Sequence, residues 1–258
     1  MSDQRVPIEQ LREDVRLLGT LLGEVLVEQG GPELLQRVEA IRTQAIEART
    51  RGAKQASDEL QQLIAGLTLD EAFAVVRAFT IYFHLVNVAE EQHRLRSLRQ
   101  RAAKLYPVPV PESIGAAVEQ LKAEGVSATA IQEALHKLRL LPVFTAHPTE
   151  ARRRTVLGHL RRLSLLLATL DDPRLSPPAR EAILADLQAE ITLLWQTSEV
   201  RTARPTPLQE VRNTALYYFE ESLFDTVPRV YRALEDALAR AYPGEQFVVP
   251  AYLRFGSW

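Results

Sequence analysis

The chain has 258 residues, 46% hydrophobic and 25% charged, with a formal net charge of -2 and no cysteine. That is enough apolar material for one large domain or two small ones. It excludes a disulfide framework, a thiolate zinc site and a cysteine nucleophile, and gives no overall pull towards nucleic acid or an anionic membrane. Met1 to Arg16 is too polar for a secretory leader. No run of about 18 uncharged apolar residues offers a membrane span. The composition predicts a soluble, cytoplasmic, helix-rich protein with neither nucleic-acid nor membrane partners.

In chain order, Leu11, Val15, Leu18, Leu22 and Val25 predict a helix over residues 7–29. Gly30-Gly31-Pro32 ends it, with the proline placed to start the next helix at 33–49. Arg49 to Gly52 reads as a loop, and a short helix follows near 57–65. Thr68 with Glu71 forms a capping box that opens a long helix, roughly 69–104, carrying Phe73, Val76, Phe79, Phe83 and Val86. Pro107, Pro109 and Pro111 mark an extended linker. Ser113 caps a helix that stops at Gly125, and Ser127 or Thr129 caps another ending near Leu138.

Leu140 to Ala146 is a short apolar run bounded by Pro148, the first strand signal. A helix over 150–170 follows, with Thr149 as its cap. Ser176 caps the next, with Pro177 at its first position. Helices near 208–223 and 228–241 come after a basic, proline-containing loop, and Phe247 to Phe255 reads as a second strand. Two lone strands cannot cover their own edges, so the chain is expected to belong to a larger domain.

The stretch from Val143 to Arg154 breaks the helical pattern and is where chemistry is expected. The bond to Pro148 pushes His147 to an extended conformation at the end of the first strand. Two readings of His147 stand on local sequence: a proton-exchanging group near neutral pH, or a partly buried histidine bonded to a backbone carbonyl at a turn. Arg152, Arg153 and Arg154 would lie in the first turn of a helix, where cations are unfavourable by a few tenths of a kcal/mol each. Either an anion binds there, or the arginines pair with acids elsewhere on the helical surface. His84, His93, His136 and His159 show no metal-ligand spacing, no phosphate-cradling glycine loop is present, and no metal site is expected within the chain.

Thr145-Ala146-His147-Pro148-Thr149-Glu150, followed by Arg153 and Arg154, resembles the histidine signature of phosphoenolpyruvate carboxylase. Leu194 to Arg201 with Arg204-Pro205-Thr206-Pro207, His84 to Glu91, Leu17 to Gly23, and Phe255 to Trp258 resemble further segments of that family in the same order. Phe224 stands where the family often has tryptophan. The resemblance implies a mostly α chain, the helical N-terminal portion of a (β/α)8-type barrel enzyme with one or two barrel strands present. Residues 1–138 would form an N-terminal helical region and residues 139–258 the start of the barrel.

The activity implied is carboxylation of phosphoenolpyruvate with bicarbonate, giving oxaloacetate and phosphate. His147 would be the catalytic base, and Arg152, Arg153 and Arg154 supporting substrate-binding charges. Mg2+ or Mn2+ would be held by ligands beyond Trp258, in an allosteric homo-oligomer, a tetramer, and this portion alone would be inactive. A self-contained helical interaction module without catalysis is the competing reading.

Overall fold

A computed structural model describes residues 8–51, 54–144, 153–199, 206–254 and 256–257. The chain is mostly helical, as its periodicity predicts. It divides into two compact units, each built from two stretches of chain: residues 1–97 with 152–201, and 98–151 with 202–258. The expected boundary between residues 138 and 139 falls inside the second of these.

In the first unit, α1 (Ile8–Gly30) buries Leu18, Leu21, Leu22, Val25 and Leu26, the i, i+3, i+4 face of one helix. Gly31 adopts φ 82°, a left-handed value that suits glycine, and its N–H closes α1 onto Val27 O at 3.0 Å. Pro32 then begins α2 (Pro32–Arg51). The expected loop at Arg49–Gly52 is helical as far as Arg51, where Thr50 turns its hydroxyl back onto Ile46 O at 2.8 Å instead of capping a new element. The short helix α3 is Lys54–Ala65. The capping box forms as predicted: Thr68 N–H donates to Glu71 Oε2 at 2.9 Å and Glu71 N–H to Thr68 Oγ1 at 3.3 Å.

The long helix α4 (Leu69–Leu105) turns a different face inward from the one its aromatic residues suggest. Val75, Ala78, Ile81, Leu85, Val88 and Ala89 are buried, while Phe73, Val76 and Phe83 are 68%, 64% and 60% exposed. Its first half is apolar all round, so periodicity alone does not choose a face. By length and composition α4 is the helix among the described residues that would suit a membrane span. Its inner face nevertheless closes the core of the unit against Leu163 and Leu167 of α7 (Arg154–Thr169) and Leu187 and Ile191 of α8 (Pro177–Gln196). Ser176 caps α8 by accepting from Ala179 N at 3.4 Å, with Pro177 at the first position as predicted.

The second unit is capped by the same local chemistry. Ser113 caps α5 (Ile114–Ala123) and Ser127 caps α6 (Ala128–Lys137), each accepting a backbone N–H at 3.2 Å. Gly125, at φ 81°, ends α5 in a Schellman turn, with Val126 N–H on Leu121 O at 3.1 Å and Gly125 N–H on Lys122 O at 3.0 Å.

Residues 207–241 form one helical path rather than the two helices expected: α9 (Pro207–Glu210), a π turn at Val211–Ala215, α10 (Leu216–Tyr218), a second π turn at Phe219–Leu223, and α11 (Phe224–Ala241). Pro228 lies inside α11. It has no N–H to give the carbonyl one turn before it, and the helix nevertheless continues to Ala241.

Among the described residues the first expected strand is β1 (Val143–Phe144), and its parallel partner β2 (Gly256–Ser257) lies beyond the expected Phe247–Phe255 span, which contributes one bridge, between Leu140 and Leu253. Pro142 and Pro250 lack the N–H a longer ladder needs. Side chains take over part of that pairing. Gln132 donates to Val248 O and accepts from Val248 N, both at 2.9 Å, and Leu253 N–H reaches the Tyr231 hydroxyl at 3.1 Å. Val118, Ile131, Leu135, Leu238, Tyr242 and Tyr252 form the core of this unit.

Candidate functional site

His147 and Arg152 lie outside the described residues, as does Thr149. Arg153 and Arg154 sit where α7 begins, but one turn later than predicted. Arg153, extended at φ -72° and ψ 144°, is the N-cap, and Arg154 is the first helical residue. The helix therefore takes Arg153 rather than Thr149 as its cap, and Arg154 lies in its first turn. The Arg153 side chain makes no capping bond, and no acidic residue occupies the first turn of α7 to complement its positive end.

The structure supports this helix start from behind. The main-chain N–H of Arg153 donates to Glu199 O at 2.9 Å. Glu199 follows the end of α8, where Thr197 leaves the helical path at φ -91° and ψ 125°. Two residues of α4 hold this short segment. Arg77 donates to Thr197 O at 3.0 Å and lies over the Trp195 ring, 5.3 Å from its centre. His84, buried, brings Nε2 to 2.9 Å from Glu199 Oε1. A carboxylate only accepts, so Nε2 holds the proton and donates. Burial pulls the Arg77 guanidinium below its usual value.

Among the described residues no group of three or more His, Asp or Glu side chains could hold a metal ion.

A family model described as phosphoenolpyruvate carboxylase matches residues 11–258. The chain belongs to the phosphoenolpyruvate carboxylase family. It is 46% identical over 259 residues to a phosphoenolpyruvate carboxylase of Roseiflexus castenholzii, covering 99% of this chain and 27% of that protein. It is 42% identical to one of Thermus thermophilus, covering 98% and 28%, and 39% identical to one of Ralstonia nicotianae, covering 97% and 26%. The chain therefore spans about a quarter of the length of these relatives.

In this member of the family the surroundings of α7 contain partners that sequence reasoning passed over. His159 and Arg162, one turn apart on α7, both reach Glu190 on α8: Nδ1 lies 2.7 Å from Oε2 and Nε 2.6 Å from Oε1. Burial alone would raise the Glu190 carboxyl, but the hydrogen bonds from Arg162 and His159 outweigh it and hold the group below its ordinary value. Gln92 of α4 donates to Ser164 O at 3.0 Å, tying the two helices. Arg96, buried one turn further along α4, pairs with Asp14 of α1 and with Asp171 after α7, the latter at 2.7 Å.

A signal for these was present in the sequence. His84, Gln92 and Arg96 continue the buried face of Ile81, Leu85, Val88 and Ala89, and a polar residue in line with an apolar stripe needs a partner.

Proposed function

We propose that this chain supplies the histidine segment of a phosphoenolpyruvate carboxylase, which as a whole joins bicarbonate to phosphoenolpyruvate to give oxaloacetate and phosphate. The observation that carries the reading is the family match over residues 11–258, a range that includes Thr145 to Glu150. The parallel pairing of β1 with β2 supports placing the segment at the start of a (β/α) barrel, where the ends of strands collect catalytic groups.

In this reading the phosphoryl group passes from phosphoenolpyruvate to bicarbonate, leaving carboxyphosphate and the enolate of pyruvate. His147 takes the carboxyl proton of carboxyphosphate. The C–O bond to phosphorus's oxygen then breaks, releasing CO2 and phosphate, and the enolate carbon attacks CO2 to form oxaloacetate. Both intermediates are anionic. Arg153 and Arg154, at the positive end of α7, supply cationic surroundings for them, and Arg152 is assigned the same role by its place in the sequence. Mg2+ or Mn2+ belongs to the proposal through ligands outside this chain, as does assembly into a homotetramer under allosteric control in the cytoplasm.

The test is His147→Asn in the full-length enzyme, assayed for oxaloacetate. The expected result is a folded protein with no carboxylation, and a normal rate would remove His147 from the mechanism. The 258-residue chain by itself is expected to make no oxaloacetate. Mg2+-dependent turnover by the purified chain would overturn the view that essential groups lie elsewhere.

A further inference from the structure

We propose that His84 and Arg77 of α4 are positioning residues for the cationic start of α7, acting through residues 197–199; the inference rests on the carboxylase reading above. Seven residues separate them, two turns of helix, so both leave α4 on one face. Arg77 takes the carbonyl of Thr197 at 3.0 Å and covers the ring of Trp195. His84 takes the carboxylate of Glu199 at 2.9 Å. Between them these contacts fix both ends of a three-residue segment to one rigid helix. The carbonyl of Glu199 then receives the N–H of Arg153 at 2.9 Å. Shifting that carbonyl requires breaking one of the two side-chain contacts.

An ordinary tie between packed helices would explain such contacts if the helices needed one. They do not. Leu85 and Val88 of α4 already share one buried core with Leu163 and Leu167 of α7 and Leu187 and Ile191 of α8, and Gln92 already ties α4 to Ser164 of α7. The additional tie ends at Arg153, six residues along the chain from His147, at the one end of α7 where chemistry is placed. In the proposed role this support keeps Arg153 and Arg154 in place for the reaction, where a displacement of about 1 Å is worth up to roughly a hundredfold in rate.

The experiment uses the full-length enzyme and measures kcat, KM for phosphoenolpyruvate and for bicarbonate, and melting temperature for His84→Ala, His84→Gln and Arg77→Met, beside His147→Asn. The expected result for His84→Ala is a fall in kcat/KM of about ten- to a hundredfold, with a raised KM for an anionic substrate. His84→Gln recovers part of it, because the glutamine amide can donate to Glu199. Arg77→Met moves kcat/KM in the same direction as His84→Ala. The inference is overturned if kcat and both KM values stay at wild type while only the melting temperature falls. Should His84→Ala fail to fold, an unchanged kcat/KM in Arg77→Met overturns it. Full activity in His147→Asn sinks the carboxylase reading itself. Inactive His147→Asn with unaltered kcat/KM in the α4 variants sinks the positioning role alone.

Discussion

The guanidinium of Arg96 lies directly against the carboxylate of Asp14, joining α4 to α1 with both side chains about nine-tenths buried. Burial pushes the Asp14 carboxyl up from its ordinary value, and its hydrogen bond to Arg96 returns only part of that shift. Removing one partner leaves the other charge buried without compensation. Arg96→Met is therefore expected to destabilise the fold by about 3–5 kcal/mol. Arg96→Met with Asp14→Leu should recover most of that loss, because an apolar pair of similar size fits the same space. Denaturant unfolding of the two variants checks this, and equal losses in both would show that the pair's charge is not what matters.

Glu190 predicts a pH dependence. Its carboxyl is held below the ordinary 4.5 by Arg162 and His159 against the opposing effect of burial. A carboxylate lowered in the folded state contributes stability that is complete above 4.5 and is lost as pH falls below 4.5 through the folded value. Asp14, raised by burial, works the opposite way, since protonation relieves it as pH falls. Comparison of wild type with Glu190→Gln isolates the first effect. The variant should be less stable at neutral pH and lose less stability on acidification below pH 4.5. Parallel melting curves from pH 7 to pH 3 would contradict this.

Gly125 offers a purely conformational test. It sits at φ 81° in the turn that ends α5, and a Cβ built there meets nothing within 4 Å. Gly125→Ala should cost about 1–2 kcal/mol from left-handed backbone strain alone, and Gly125→Asn less, because asparagine tolerates that region better. If alanine and asparagine cost the same, backbone conformation is not the cause.

The outward face of α4 carries Leu69, Phe73, Val76 and Phe83 at 60–85% exposure. The isolated chain is expected to bind a hydrophobic dye there, and Phe73→Gln with Val76→Gln to lower the signal markedly. Dye fluorescence unchanged by the double substitution would place the exposed surface elsewhere, for instance along Leu140, Leu141 and Val143.

What could be read from the sequence was what is decided locally. Ser113, Ser127, Ser176, the Thr68–Glu71 box and Gly125 act within four residues of themselves, and each is found as predicted. The buried face of α4 could not be read, because its first half is apolar on every side and only packing against α7 and α8 selects one. The pairing of Arg96 with Asp14 spans 82 residues and with Asp171 spans 75, beyond any local pattern. Among the described residues the paired stretches are shorter than their apolar runs, which Pro142 and Pro250 interrupt. The start of α7 was misplaced because Thr149 has the chemistry of a cap, whereas the extended Arg153 occupies the cap position. At the site itself, local sequence leaves His147 open between a structural and a chemical role, and the proposal of a chemical one rests on the family match.

The pairing of Val143 with Gly256 has a consequence for synthesis. The earlier strand leaves the ribosome more than a hundred residues before its partner exists. At about 5–20 residues per second that is a wait on the order of ten seconds. For that interval Leu140, Leu141 and Val143 have no neighbour to pair with, while the helices of the intervening stretch can already form. The nascent chain is thus most vulnerable to misassociation at the segment next to His147, and a holding chaperone would have its clearest reason to bind there.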